Sequence, residues 1–366
     1  MTMNRSELPP PTMSETLNYE GDVAYAQRFY RRRKLASRAL STVLAVTTLF
    51  STAYTLPVAA EKLRLANTEP TLVHIADTPD HLSATSLVIG GFGIKSSEAT
   101  ARALPQLAEI GSVEALNHDN DGIDSHVIAQ MYIEQSHTNG LLEAGLWGDS
   151  NGGHIAVKVA REIQESDSEL RTRYIVLDCM PPSVNALRED KRATVDLIDT
   201  ISHVLPDAAT HPLVGYLYAQ DRLDKHYNGN GHFGVGEILS EMYSPDRPSS
   251  RLLAAEAMLV VNPSLKADFQ AIANVETKAP PLVVIIRPKG DTDKTVISDE
   301  ADHELTAMLD ETGIPYVEMS LKDIVHGDPT ANAEQYQEAL NNIILPALRE
   351  YDMSVQSRLY AVDSVR

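Results

Sequence analysis

The 366-residue chain has a single cysteine, Cys179, so a disulfide scaffold is excluded. It is poor in cations, with 31 Lys and Arg against 51 Asp and Glu, a formal net charge of −20. Phosphates would be repelled, which argues against nucleic acid as the main partner. Aromatic residues interleaved with cations, the pattern that single-stranded nucleic acid requires, are also lacking. The histidines at His203, His211, His226 and His232 are irregularly spaced and have no cysteine partners, so no zinc site is expected. Gly90-Gly-Phe-Gly-Ile-Lys95 lacks the Gly-Lys pair of a phosphate loop, because Ile94 intervenes. The run Asn117-His-Asp-Asn-Asp-Gly122 opens like a calcium loop, but Ile128 stands where a bidentate Glu is needed. No metal or cofactor is expected, and there is no internal repeat.

What is present divides the chain in two. Hydrophobic residues make up 43% and charged residues 22%, a globular composition with material for a real core. Residues 1–27 are polar and include Pro9-Pro10-Pro11, which reads as a disordered tail. Six cations follow within residues 28–38. Residues 39–60, ALSTVLAVTTLFSTAYTLPVAA, carry no charge, and their length of 22 meets the ~20 residues a bilayer core requires. The expectation is a basic cytoplasmic tail (1–38), a transmembrane signal-anchor (39–60) inserted in the cell membrane, and an exported remainder. A cleaved signal ending near Ala59 and Ala60 is the alternative. Residues 1–38 hold seven cations and four anions, so the remainder carries −23.

Residues 61–366 alternate apolar runs with helical periodicity. Strands are expected at Leu72–Ile75, Ser86–Ile89, Val113–Leu116, Leu141–Trp147, Tyr174–Leu177, Leu282–Ile286 and Tyr316–Ser320. Helices are expected at Ser97–Ala108, Ser125–Gln135, Gly152–Gln164, Asp299–Glu311 (with Ser298 and Asp299 as caps) and Ala333–Glu350. Leu282-Val-Val-Ile-Ile286 is apolar without alternation, as in a parallel strand covered on both faces. An α/β fold with a mostly parallel sheet follows. Residues 180–278 break the rhythm and read as a helical lid insertion.

The sharpest motif is Gly148-Asp149-Ser150-Asn151-Gly152, a G-x-S-x-G between an apolar strand and a helical pattern. A serine on such a turn projects its hydroxyl above the sheet, and the helix that starts there favours negative charge. In this motif and its setting, over about residues 70–350, the sequence resembles the α/β-hydrolase family. The resemblance implies further parts in a set order. An oxyanion loop should follow an early strand: Gly90-Gly91-Phe92-Gly93 stands there, with Gly90 where the family commonly has histidine. The amides of Phe92 and Asn151 would be the donors. A triad acid should follow a late strand: Gly290, Asp293 and Val296 match G-x-x-D-x-x-V, so Asp293 is favoured, with Asp291 the alternative. A histidine should follow the last strand, which is His326 before Gly327, whereas His303 lies in an expected helix. Asp149 reads either as an influence on the nucleophile or as an exposed carboxylate at a helix start. Together these imply an esterase with Ser150, Asp293 and His326 as triad, a small-molecule acyl ester as substrate and no cofactor. Acyltransferase, lipase and peptidase activities use the same parts, and a non-catalytic binding protein is the rival from another class.

Overall fold

The computed structural model describes residue 55 and residues 58–363, except 67, 78–81, 205–206, 227–232, 245–246, 291 and 325. The chain divides into Met1–Leu56 and Pro57–Arg366, and the second unit holds the sheet and its helices. Its elements run β1 (Thr71–Ala76), β2 (Ala84–Ile89), α1 (Glu98–Ala103), β3 (Ser112–Asn117), α2 (Ser125–Thr138), β4 (Glu143–Asp149), α3 (Gly152–Glu165) and β5 (Arg171–Asp178). Then come α4 (Glu189–Val204), α5 (Asp207–His226), α6 (Val235–Met242), α7 (Ser250–Val261) and α8 (Leu265–Ala273). The chain closes with β6 (Leu282–Pro288), α9 (Ser298–Thr312), β7 (Tyr316–Leu321), α10 (Ala333–Ala339) and α11 (Leu345–Asp363).

The seven strands form one sheet in the order β1-β3-β2-β4-β5-β6-β7. Only β1 is antiparallel, pairing with β3; every other pair is parallel. Successive residues of a strand point to opposite faces. Leu87, Leu146, Ile175 and Val283 face a core shared with α2, α3, α8 and α9. Val88, Trp147, Val176 and Val284 face a second core with α1, α10 and α11. Both faces are covered, which is why these strands read as unbroken apolar runs.

Several sequence expectations are corrected. Among the described residues no helix is long and apolar enough to cross a membrane. The transmembrane helix therefore drops out of the fold class, which is a seven-stranded, mostly parallel sheet flanked by helices. Seven Ser or Thr and Pro57 dilute the apolar character of 39–60; the run lies outside the described residues except at 55 and 58–60, as do residues 1–38. Residues 58–64 are helical and include Glu61, Lys62 and Arg64. Glu61 is fully buried, with its carboxylate 2.6 Å from Arg247 Nη2, and Arg64 Nη2 donates to the Ser244 carbonyl at 2.9 Å. This stretch is thus tied to the segment before α7.

The helix expected over Ser97–Ala108 breaks into α1 and a 3-10 turn at Pro105–Glu109, because proline disfavours the helical backbone before it. Likewise a π-helical turn at Leu340–Ile344 interrupts the helix expected over Ala333–Glu350, just before Pro346, which has no N–H to donate. Ser298 and Asp299 do not cap α9; Ile297 holds that position and makes no side-chain cap bond. The stretch read as insertion ends early: Leu265, Phe269 and Ile272 of α8 are buried in the core of the sheet. The distinct insertion is therefore α4–α7, between β5 and α8.

Phe269→Ala is expected to lower unfolding stability by about 3–5 kcal/mol, because the cavity opens in the main core. Leu239→Ala, on the exposed face of α6, should stay within about 0.5 kcal/mol. Urea denaturation of both variants tests whether α8 belongs to the sheet; equal small losses would refute it.

Candidate active site

β4 ends at Asp149 and α3 begins at Gly152, so Ser150 sits in the tight turn between them. Its φ is +47°, a left-handed backbone that a non-glycine residue adopts only when its surroundings hold it there. The holding contact is the Ser150 amide, which donates to the Asp178 carbonyl at the end of β5 at 2.6 Å. Crowding demands glycine at 152: a Cβ there would lie 2.4 Å from the Ile89 carbonyl oxygen.

The other expected residues converge on this turn from the same edge of the sheet. His326, in the loop after β7, places Nε2 2.8 Å from Ser150 Oγ. Its Nδ1 is 3.0 Å from each carboxylate oxygen of Asp293, which follows β6. A carboxylate only accepts, so Nδ1 carries the hydrogen and Nε2 accepts from the serine hydroxyl. Asp293 Oδ1 also accepts from the amides of Thr295 (2.8 Å) and Val296 (2.9 Å). Burial pushes the Asp293 carboxyl up, but the bonds and charge of His326 and the two amides outweigh it and hold it below the usual range. Thr292 Oγ1 donates to the Ile324 carbonyl at 3.2 Å and joins the acid loop to the histidine loop. Asp291, the alternative acid, lies outside the described residues.

The loop after β2 passes directly beside the serine. A Cβ on Gly91 would meet Ser150 Cβ at 2.9 Å. Phe92 is half-buried against Ile198, Val214, Tyr218, Leu253 and Ala257 of the insertion. Although Gly90 replaces the family's usual histidine, the loop has other supports. Gly90 N donates to Ser97 Oγ at 2.7 Å, and Gly93 N to Glu256 Oε2 at 2.8 Å. Burial pushes His118 down to about 4, against a hydrogen bond with the Gly90 backbone, which keeps it neutral.

Sequence reasoning left Asp149 open between two readings and missed two acids outright, the first of them Asp178. Asp149 is not an exposed helix-start carboxylate: it is 1% exposed and pairs in register with Asp178, which is fully buried. Trp147 Nε1 donates to Asp149 Oδ1 at 2.7 Å and Tyr336 Oη to Asp178 Oδ1 at 3.0 Å. Burial raises Asp149 far above the ordinary carboxylate range, with the Asp178 charge adding to it; burial also pushes Asp178 up to about 6, against bonds from Tyr336 and Cys179. The second missed acid is Glu256. An acid looks alike in sequence whether buried or exposed, and the only available signal was the place of Asp149 inside the motif.

Among the described residues, one group is spaced to share an ion: Cys179, Asp293 and His326, with ligand atoms within 4.8 Å. The Cys179 thiol is raised by burial and by the Asp178 and Asp293 charges, so it stays protonated and offers no thiolate. His303 is exposed on α9, and His203 is exposed at the end of α4. His211, His226 and His232 have side chains outside the described residues.

No family model and no curated protein matches this chain. Solved structures do resemble it. A structure described as an ancestral haloalkane dehalogenase is 13% identical, covering 78% of this chain and 97% of its own, with a TM-score of 0.50. An esterase from Exiguobacterium antarcticum is 15% identical over 77% and 96% of the two chains, with a TM-score of 0.48. A lipase-esterase related protein from Clostridium acetobutylicum is 15% identical over 75% and 98%, with a TM-score of 0.47. The chain has the α/β-hydrolase fold.

The buried acids make stability depend on pH. Their folded-state values lie above the ~4 of an unfolded carboxyl, so their contribution is full below pH ~4 and is lost as pH rises through the folded values. Asp178 and Asp149 should therefore lower the melting temperature progressively from pH ~4 through ~6 and beyond. Asp149→Asn removes one of the two charges, so its melting temperature should fall less than that of the wild type between pH 5 and 8. Identical slopes by thermal denaturation would sink this account.

Proposed function

We propose that the protein is a serine hydrolase that cleaves carboxylic esters of small molecules through an acyl-enzyme on Ser150. The observation that carries this reading is the hydrogen-bonded line Ser150 Oγ, His326 Nε2, His326 Nδ1, Asp293, with the serine raised on a left-handed turn at the edge of the sheet. In the proposed reaction Ser150 Oγ attacks the acyl carbon while His326 Nε2 takes its proton. Asp293 holds the Nδ1 hydrogen and stabilises the imidazolium that results. The amides of Phe92 and Asn151 receive the oxyanion; neither donates to another described residue. His326 then passes its proton to the departing alcohol. Water, deprotonated by His326, attacks the acyl-enzyme and releases the acid and the free serine. The haloalkane dehalogenase and esterase likenesses contribute the fold to this reading and nothing about the substrate.

A panel of chromogenic esters of graded chain length, with fluorophosphonate labelling, tests it. Wild type should be labelled and turn over at least one ester. Ser150→Ala should be unlabelled and lose about 10⁶-fold in kcat, while Asp293→Asn, which leaves the imidazole without its orienting acceptor, should lose about 10⁴-fold. A wild type that is neither labelled nor active, or a Ser150→Ala variant labelled equally well, would return the chain to the non-catalytic reading.

A further inference from the structure

We propose that Glu256 is a positioning residue for the oxyanion site: from α7 it fastens the loop that carries Phe92 and, through its own backbone, the side chain of Asn151. This inference rests on the serine-hydrolase reading and adds a residue to it. α7 is itself fixed at its start. Ser249 Oγ accepts from the Leu252 amide at 2.9 Å, and the Ser249 amide donates to Asn120 Oδ1 at 3.1 Å. About two turns on, Glu256 is 1% exposed and points its Oε2 at the Gly93 amide, 2.8 Å away. Its carbonyl oxygen accepts from Asn151 Nδ2 at 2.7 Å. One residue of the insertion therefore holds the residue after one proposed oxyanion donor, Phe92, and the side chain of the other, Asn151.

The far side of Gly93 is held as well. Tyr218 Oη donates to the Gly93 carbonyl at 3.2 Å and accepts from Arg222 Nη1 at 2.8 Å. Gly93 has φ +77°, so its amide and carbonyl are set by these two contacts and not by a strand or helix. Glu256 Oε1 has no partner among the described residues, and burial pushes the carboxyl up to about 8, against the bond from Gly93. A neutral carboxyl fits this place. It accepts the Gly93 amide without setting a negative charge beside the site where an oxyanion must form. The charged and titratable groups on the elements packed around it include Tyr218, Asp221 and Arg222 on α5, Glu237 and Glu241 on α6 (Glu241 paired with Arg222 at 2.9 Å), Arg251 on α7, His118 bonded to the Gly90 backbone, Asp149 at the serine turn and His326 in the loop after β7.

The test compares wild type, Glu256→Gln, Glu256→Leu and Ser150→Ala, by steady-state kinetics on the fastest ester from pH 6 to 10 and by fluorophosphonate labelling rate. Wild-type kcat should fall as pH rises through about 8 and Glu256 ionises. Glu256→Gln keeps an acceptor for Gly93 and cannot ionise, so its kcat should stay within about twofold at pH 7 and lack the alkaline fall. Glu256→Leu leaves the Gly93 amide unbonded and should lose about tenfold or more in kcat with KM within about twofold. A merely structural glutamate would lower stability without removing the alkaline fall. Should Glu256→Leu fail to fold, the profile of Glu256→Gln decides: retention of the wild-type alkaline limb overturns the proposal. Labelled wild type with kinetically indifferent Glu256 variants removes this inference alone, whereas unlabelled wild type removes the hydrolase reading beneath it.

Discussion

The bond from the Ser150 amide to the Asp178 carbonyl governs the candidate site. A left-handed turn at a serine costs roughly 1–3 kcal/mol and persists only where neighbouring structure overdetermines it. Here the parallel pairing of β4 with β5 delivers the acceptor, and the Ile89 carbonyl crowds the turn from β2. Everything else is placed relative to that turn. β6 and β7, running parallel alongside, end at the same edge and lead to Asp293 and His326. The price of this packing is visible next door, where Asp149 and Asp178 are buried side by side.

Much of this was legible in the sequence because the chemistry is local. The strands are apolar runs because both faces are covered, and the G-x-S-x-G turn announces itself by small residues between a strand and a helix. The spacing Gly290, Asp293, Val296 pointed to the acid because the carboxylate of Asp293 bonds the amides of Thr295 and Val296 within its own loop. What was not legible is long-range. Nothing local separates Glu256, bonded to Gly93 across 163 residues, from an acid on a solvated face. The apolar face of α8 has the same periodicity whether it packs on the sheet or within an insertion. The uncharged run at 39–60 was read by its length and flanking charge, although its hydroxyl content pointed the other way.

The insertion is more wall than door at its inner edge. α7 hydrogen-bonds the loop beside the serine and the residue after it, and Phe92 shares an apolar cluster with α4, α5 and α7. Motion of α7 would therefore disturb the oxyanion loop itself. By contrast, α4–α6 leave Leu197, Leu213, Tyr216 and Leu239 exposed.

The buried pair of Glu61 and Arg247 sets where this folding unit begins. A shortened version starting at Thr71 would retain every strand and the whole candidate site, yet strand a guanidinium inside the protein. Removing one member of a sequestered pair typically costs about 3–5 kcal/mol, a large share of an ordinary domain's stability. A version trimmed for expression should therefore keep the helix at 58–64, because Glu61, ten positions ahead of the first strand, is the buried partner of Arg247.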